Sequence, residues 1–443
     1  MACKRAANVI FFSLMAALLV LYPAYGSVSC HEISRWVEGI EGLKLILADD
    51  GPTDSDVDIF DEVMELPPPQ NLAESYELLR RWCDKRRPDG IFLQSERGLL
   101  LGALLVREFG LKGPSVEAAH ICSNKYLQRV TLSRAGIGSP LFKLAESAAD
   151  VHRLANDFGF PLVLKCVIST MSRLVTLVSS RADIDSAVAK MLKALPKSPD
   201  VARLLSFAKA GKVELGCDPK RQFLVESFLA GDMVETDGLA LEGGAFTFGV
   251  TEQMQSVAPP FFIEGYLFPA ECSDNRPIEA VSDATIKAVG LRDSAFSIEM
   301  RLQGNDIRII EVNGRLGWDD GFSEMFQVRT RQERILQALQ LSLGIRPELV
   351  RDESLFAALA YHNCYYNGIV EDLPLRDELA RLECDGLKIG LSTHRGARFV
   401  APPNPNAYPH AAWALATHPS SSRVAYQLAR RAVDGLDITI KRI

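Results

Sequence analysis

The stretch from Ser294 to Gly317 concentrates the side chains best suited to chemistry. Two alternating runs, Ala295-Phe-Ser-Ile-Glu-Met-Arg301 and Ile307-Arg-Ile-Ile-Glu-Val-Asn313, flank Gln303-Gly304-Asn305-Asp306, and the Gly, Asn and Asp between them predict a hairpin turn. With the turn centred on Asn305, Glu299 and Glu311 lie directly opposite each other, and Asn313 projects from the same face as Glu311. Like charges opposed across a sheet are destabilising, so this pair asks for a compensating cation. Two carboxylates and an amide oxygen are hard ligands, suited to Mg²⁺ that also holds phosphate oxygens. Arg315 follows on the same side, where a guanidinium neutralises developing negative charge. The other reading of these residues is a solvated strand face with unpaired charges.

Two further stretches carry charge at the ends of apolar strands. Phe160-Pro-Leu-Val-Leu-Lys165 ends in a lysine whose ammonium can act as a point charge on a phosphate. By itself such a lysine also fits a snorkelling strand end. Downstream, Ser169-Thr-Met-Ser172-Arg-Leu-Val175 is a short polar loop whose backbone amides and hydroxyls can cover phosphates. Phe223-Leu-Val-Glu-Ser-Phe-Leu-Ala-Gly231 delivers Glu226, and a carboxylate with backbone groups near Phe228 and Leu229 can read an adenine amino group. A strand ending in Glu is common and carries little information alone. No P-loop GxxxxGK[ST] and no well-formed GxGxxG are present, so those nucleotide folds lose support.

The elements that must position these residues alternate. Apolar runs at Val9–Leu14, Leu43–Ala48, Asp61–Leu66 and Ile91–Gln94 read as strands, with helical patterns over Asn71–Lys85 and Gly98–Phe109. Such alternation predicts a parallel sheet wrapped by helices. Helices are expected over Cys122–Ser133, Val151–Phe158, Ala182–Leu195 and Arg423–Asp434. Strands are expected over Pro161–Cys166, Val175–Val178, Lys212–Leu215, Gln222–Phe228, Leu239–Leu241, Phe246–Val250, Leu387–Gly390 and Asp437–Ile440. Lys4 and Arg5 before an apolar run to Leu21, with small residues around Tyr25, also form a passable secretory signal. Removing that segment would delete the first strand of the sheet, which favours the strand reading.

Composition bounds the rest. A chain of 443 residues with 47% hydrophobic and 24% charged residues is globular, which excludes disordered, collagenous and coiled-coil readings for its bulk. The net charge of −7 argues against a nucleic-acid partner. The apolar run to Leu21 is too short for a comfortable membrane span. Nine scattered cysteines without a CxxC pair indicate reduced thiols and a cytoplasmic setting.

Taken in order, the stretches resemble the ATP-grasp enzymes. The family pattern is a helix with a Lys, then FPxVxKP, a small-residue loop, a VEExxxG hinge and a hairpin ending ExNxR. It is matched by Ser123-Asn-Lys125-Tyr-Leu-Gln-Arg129, Phe160–Cys166, Ser169–Val175, Val225–Gly231 and Glu311-Val-Asn313-Gly-Arg315. The resemblance implies an α/β protein: an N-terminal parallel-sheet domain over residues 1–119, a small α+β lid over 120–225, and a C-terminal α+β domain with an antiparallel sheet over 226–443, closed by a lobe from about 346. It implies a ligase that joins a carboxylate to an amine through an acyl phosphate, using ATP and two Mg²⁺ ions that Mn²⁺ can replace. By position, Lys125, Lys165 and Ser172 would hold ATP phosphates. Glu226, Phe228 and Leu229 would bind adenine, with Asp232 near the ribose. Glu299, Glu311 and Asn313 would hold the metal, and Arg315 would stabilise the tetrahedral intermediate.

Within the family, Gln94-Ser-Glu96, Phe262-Ile-Glu264-Gly265 and Arg315-Leu-Gly-Trp318 are similar to L-amino acid ligases of the bacilysin-synthesis type. That likeness implies amino-acid binding by Glu96 and Glu264 and an acceptor pocket limited by Trp318, which otherwise reads as a core residue. Three positions depart from the pattern. Ser169, Thr170 and Met171 stand where glycines are usual, Met233 where a ribose-binding Glu is usual, and Cys166 replaces a proline. The alternatives are an ATP-grasp carboxylase or purine-pathway ligase, or a non-catalytic nucleotide-binding protein. The expected partners are small molecules, with no nucleic acid or membrane, and a homodimer is the commonest assembly.

Overall fold

The computed structural model describes residues 16–23, 28–37, 40–169, 173–257, 259, 262–272, 274–350, 355–401 and 408–443. The expected strand at Val9–Leu14 lies outside them. The first described strand, β1 (Ala16–Leu21), is followed by β2 (Leu43–Asp49), β3 (Glu62–Glu65) and β4 (Gly90–Phe92). They form a parallel sheet in the order β3-β2-β1-β4, so β1 is an inner strand. Its sequence is continuously apolar because both faces are covered. Leu19 and Leu21 enter one hydrophobic core, while Leu18 and Val20 enter another on the opposite face.

The expected helix over Cys122–Ser133 is two helices, Val116–Ser123 and Lys125–Arg134. Asn124 breaks it. Its backbone is extended, and its side chain caps the second helix by accepting from the Tyr126 and Leu127 N–H groups. The break makes Lys125 the first residue of a helix. The lid that follows is an antiparallel sheet of β5 (Phe142–Ala145), β6 (Leu162–Lys165), β7 (Val175–Val178) and β8 (Phe223–Ser227), ordered β5-β8-β6-β7. The expected strand at Lys212–Leu215 does not form. Lys212 takes the left-handed conformation that terminates the helix Pro199–Gly211, and the chain turns away without pairing.

The remaining strands are β9 (Asp232–Leu241), β10 (Gly244–Gln255), β11 (Ile263–Phe268), β12 (Ser294–Gln303), β13 (Asp306–Asn313), β14 (Phe356–Asn363), β15 (Gly368–Asp372), β16 (Leu387–Leu391), β17 (Arg398–Phe399), β18 (His410–His418) and β19 (Thr439–Arg442). Eight of them make one antiparallel sheet, β13-β12-β9-β10-β11-β14-β18-β16, and three make a small sheet, β17-β15-β19. The short expected strands at Leu239–Leu241 and Phe246–Val250 belong to the long hairpin β9–β10, whose register gives β12 its inner neighbour.

The β12–β13 hairpin places Glu299 opposite Glu311, for a reason different from the expected turn. Gln303 pairs with Asp306 around Gly304-Asn305, and Gly304 supplies the positive φ of the turn. Continued unbroken, that register would put Ile310 opposite Glu299. A β-bulge intervenes: Met300 pairs with Ile309 and Glu299 with Glu311, leaving Ile310 as the extra residue. The Ile310 carbonyl accepts instead from Arg129, at 2.5 Å.

No helix among the described residues is long and apolar enough to cross a membrane. The eight described cysteines are free thiols. A chain lacking residues 1–26 should lose the cooperative unfolding transition followed by circular dichroism, because β1 is an inner strand with Leu18 and Leu19 fully buried. A truncated chain that unfolds cooperatively at the wild-type denaturant midpoint would contradict this placement of β1.

Candidate active site

The chemistry-bearing residues converge where the lid meets β12 and β13. Lys125 reaches across to pair with Glu311 and donates to the Ser169 carbonyl at 3.1 Å. One helical turn on, Arg129 is fully buried, and its Nε donates to Glu226 Oε1 at 2.7 Å. Lys165 Nζ lies 2.7 Å from Glu226 Oε2. Glu226 therefore has both oxygens engaged, and the chain Lys165–Glu226–Arg129 ties β6 and β8 to the bulge on β13. Between Lys125 and Arg129, Gln128 bonds the Val312 peptide twice, donating to its carbonyl at 2.9 Å and accepting from its N–H at 3.1 Å. The helix start thus fixes β13 at the two residues around Glu311.

The electrostatics follow from burial. Burial raises the Glu311 carboxyl, but Lys125, Lys165 and Arg315 reverse this and hold it below the usual carboxylate range. Burial and the neighbouring carboxylates of Glu311 and Glu235 push Glu299 up to about 8. Glu235 is opposite Glu299 on β9, so three glutamates run in a row across β9, β12 and β13. Burial lowers the Lys165 ammonium despite Glu226. Among the described residues, no three His, Cys, Asp or Glu side chains form a metal-binding group. The donor set nevertheless fits Mg²⁺ shared with phosphates: the two opposed carboxylates of Glu299 and Glu311 and the Asn313 amide oxygen are hard oxygen donors on one face.

Arg315 and Glu96, both expected at the substrates, are paired in this structure at 2.5 Å. Glu96 opens the helix Glu96–Phe109, capped by Ser95, at the carboxyl ends of the parallel strands. Trp318 Nε1 donates to Glu32 Oε2 at 2.5 Å, and its ring packs at the edge of the second core. Glu264 stands apart from the carboxylate row, half-buried at the bulge between β10 and β11. In the hinge from β8 to β9, the Phe228 N–H is occupied by the Pro161 carbonyl, Leu229 is half-buried and Asp232 is exposed. Ser172 lies outside the described residues.

Six residues of this site were not singled out from sequence: Glu32, Gln128, Arg129, Glu235, Asp237 and Arg334. Two signals were legible. Arg129 repeats Lys125 at the helical spacing of four, and Glu235-Thr-Asp237 places two acids at strand spacing in an apolar run. Glu32 and Arg334 lie far away in the chain and had no local signal.

These shifts predict a pH dependence. Glu299 binds its proton more tightly when folded, so the stability it contributes is complete below about 4.5 and is lost as pH rises through about 8. Burial pushes Glu32, Asp237 and Asp319 up to about 7, which acts in the same direction. In metal-free buffer, the melting temperature should fall across that window. Glu299→Gln should flatten part of the slope, and Mg²⁺ at pH 8 should raise the melting temperature of the wild type more than that of the variant. Equal slopes and equal Mg²⁺ responses would remove Glu299 from the cation site.

Comparison with known proteins bears on the fold. Residues 158–321 match the ATP-grasp domain. A Sinorhizobium fredii protein designated y4rH is 28% identical over 56% of this chain and 48% of its own length. The alanine–anticapsin ligase of Bacillus amyloliquefaciens is 23% identical over 56% of this chain and 52% of its own. The chain therefore spans about half the length of these curated relatives. The crystal structure of an L-amino acid ligase from Bacillus licheniformis superposes with a TM-score of 0.76 at 19% identity, covering 97% of this chain and 99% of that one. The chain has the ATP-grasp fold, with its ATP-grasp domain at residues 158–321.

Proposed function

We propose that the protein is an ATP- and Mg²⁺-dependent ligase that joins the carboxylate of one amino acid, or a related acid, to an amine in the cytoplasm. The observation that carries this reading is the convergence of Lys125, Lys165, Glu299, Glu311, Asn313 and Arg315 on one site shared by the lid and the large sheet. The likeness to alanine–anticapsin ligase and to an L-amino acid ligase supports an amino-acid substrate.

In this reading Lys125 and Lys165 neutralise phosphate charge, Lys125 pre-positioned by the half-buried Glu311 and Lys165 by the buried Glu226. Glu299, Glu311 and Asn313 would hold Mg²⁺, which supplies charge neutralisation on the phosphates when bound. The substrate carboxylate attacks the terminal phosphorus of ATP, giving an acyl phosphate and ADP. This converts a poor leaving group into a good one. The amine then adds to the acyl carbon, and the Arg315 guanidinium faces the oxyanion that develops. The nitrogen gives up one proton to the departing phosphate or to water, and collapse expels phosphate and leaves the amide. Arg315 also pairs with Glu96, so its charge is oriented before substrate arrives. The protein's contribution is positioning and charge neutralisation.

Phosphate release across a matrix of amino-acid pairs, with product masses recorded, tests the proposal. Release confined to particular pairs, with a product one water lighter than their sum, is the expected outcome. Silence with MgATP binding intact would reject amino-acid ligation in favour of another acid or a binding-only role. Glu311→Ala should abolish turnover, by about 100-fold or more, through loss of charge neutralisation at the phosphates. Wild-type-like turnover in that variant would remove Glu311 from the metal site. Trp318→Ala should admit bulkier amines, and an unaltered substrate profile would return Trp318 to the core.

A further inference from the structure

We propose that the buried Asp237–Arg334 pair is a positioning device that holds Arg315 and Trp318 in one loop geometry, and so controls transfer of the acyl group to the amine more than its activation. The proposal rests on the ligase reading above.

Asp237 lies on β9 and Arg334 opens the helix Arg334–Ser342; their side chains are 0% and 1% exposed and 2.9 Å apart. A buried ion pair is a weak source of stability, because desolvation offsets the attraction. What this pair grips is informative. The Gly317 N–H donates to Asp237 Oδ1 at 2.5 Å, and Arg334 donates to the Gly317 carbonyl at 3.2 Å. Both backbone polar groups of one residue, and so the two peptides that meet at Gly317, are therefore held. A Cβ at Gly317 would lie 2.9 Å from each Asp237 oxygen, so this approach requires glycine.

The rest of the loop is tied in the same manner by other elements. The Leu316 N–H donates to Gln94 Oε1 at 2.9 Å, and Ser294 donates to the Gly314 carbonyl at 3.2 Å. Arg315 and Trp318 flank the clamped peptides. Their side chains end on Glu96 and Glu32, which come from the N-terminal domain. The groups assigned to phosphate and metal sit elsewhere, on β6, β12, β13 and the helix Lys125–Arg134. Loosening the clamp should therefore displace the residues that face the amine while leaving the phosphate groups seated.

The test uses the full chain, comparing wild type with Asp237→Asn and with the double variant Asp237→Ala/Arg334→Met, which removes both charges together and avoids an orphaned ion. Two quantities are read: phosphate released per amide formed, and hydrogen–deuterium exchange at the Leu316 and Gly317 amides. The double variant should form amide about 100-fold more slowly, the scale of a 1 Å misplacement, with phosphate release falling far less. Its phosphate-to-amide ratio should rise about tenfold or more, the Asn variant should be milder, and exchange should rise at these two amides. A parallel fall in both products, or unchanged exchange in the folded double variant, would overturn the proposal. If the double variant does not fold, Gln94→Ala, which frees only the Leu316 N–H, must raise the ratio; an unchanged ratio there would also overturn it. Absence of amide from the wild type would instead overturn the ligase reading. The exchange measurement, which needs no substrate, then decides the clamp alone.

Discussion

Two carboxylates facing each other inside a sheet is an arrangement that folding ordinarily avoids, and much of this site is organised around that one. The bulge at Ile310 creates it, since without the extra residue Glu311 would not be opposite Glu299. The bulge is in turn held by Arg129, which takes the carbonyl freed from the ladder, and Gln128 fixes the adjoining Val312 peptide. Both come from the helix that begins at Lys125, the residue that pairs with Glu311. One short helix thus supplies the cation for the carboxylates and the donor that keeps them opposed.

The same economy joins the lid to the large sheet. Arg129, Glu226 and Lys165 form a continuous buried chain of opposite charges, so the lid's strand-end lysine is oriented by a residue that also touches the bulge. Breaking one member of such a chain leaves an uncompensated buried charge, which is costly. Glu299 is the part left unsatisfied. Its neighbours are carboxylates on both sides, and burial together with their charge pushes its own carboxyl up to about 8. Under the function proposed above, a divalent ion bound with phosphate would relieve this repulsion.

The loop that carries Arg315 and Trp318 is built on a different principle. Arg315 and Trp318 sit in a loop with little regular structure, whose peptides are bonded by side chains from four separate elements. The tips of both side chains reach the N-terminal domain through Glu96 and Glu32. Geometry there depends on several distant parts of the chain agreeing, whereas the opposed pair Glu299 and Glu311 depends chiefly on one hairpin and one helix.

The division between what was legible and what was not follows from the range of the interactions. Local pattern is enough for the alternating strands and helices, for the β12–β13 hairpin and for the strand-end Lys165, because period and turn chemistry act between near neighbours in sequence, whereas Lys125 came from the family resemblance and the opposition of the two glutamates needs the bulge. The strand expected at Val9–Leu14 lies outside the described residues, and the inner position of β1 within the sheet was not read from the sequence. Sequence could not supply the bulge, which depends on Arg129 being present to take a freed carbonyl. Nor could it show that Glu226 is saturated by two cations, that Arg315 pairs with Glu96, or that Asp237 and Arg334 grip Gly317. Each of these joins residues far apart in the chain whose meeting is decided only when the domains pack and burial makes an unpaired charge too costly to leave.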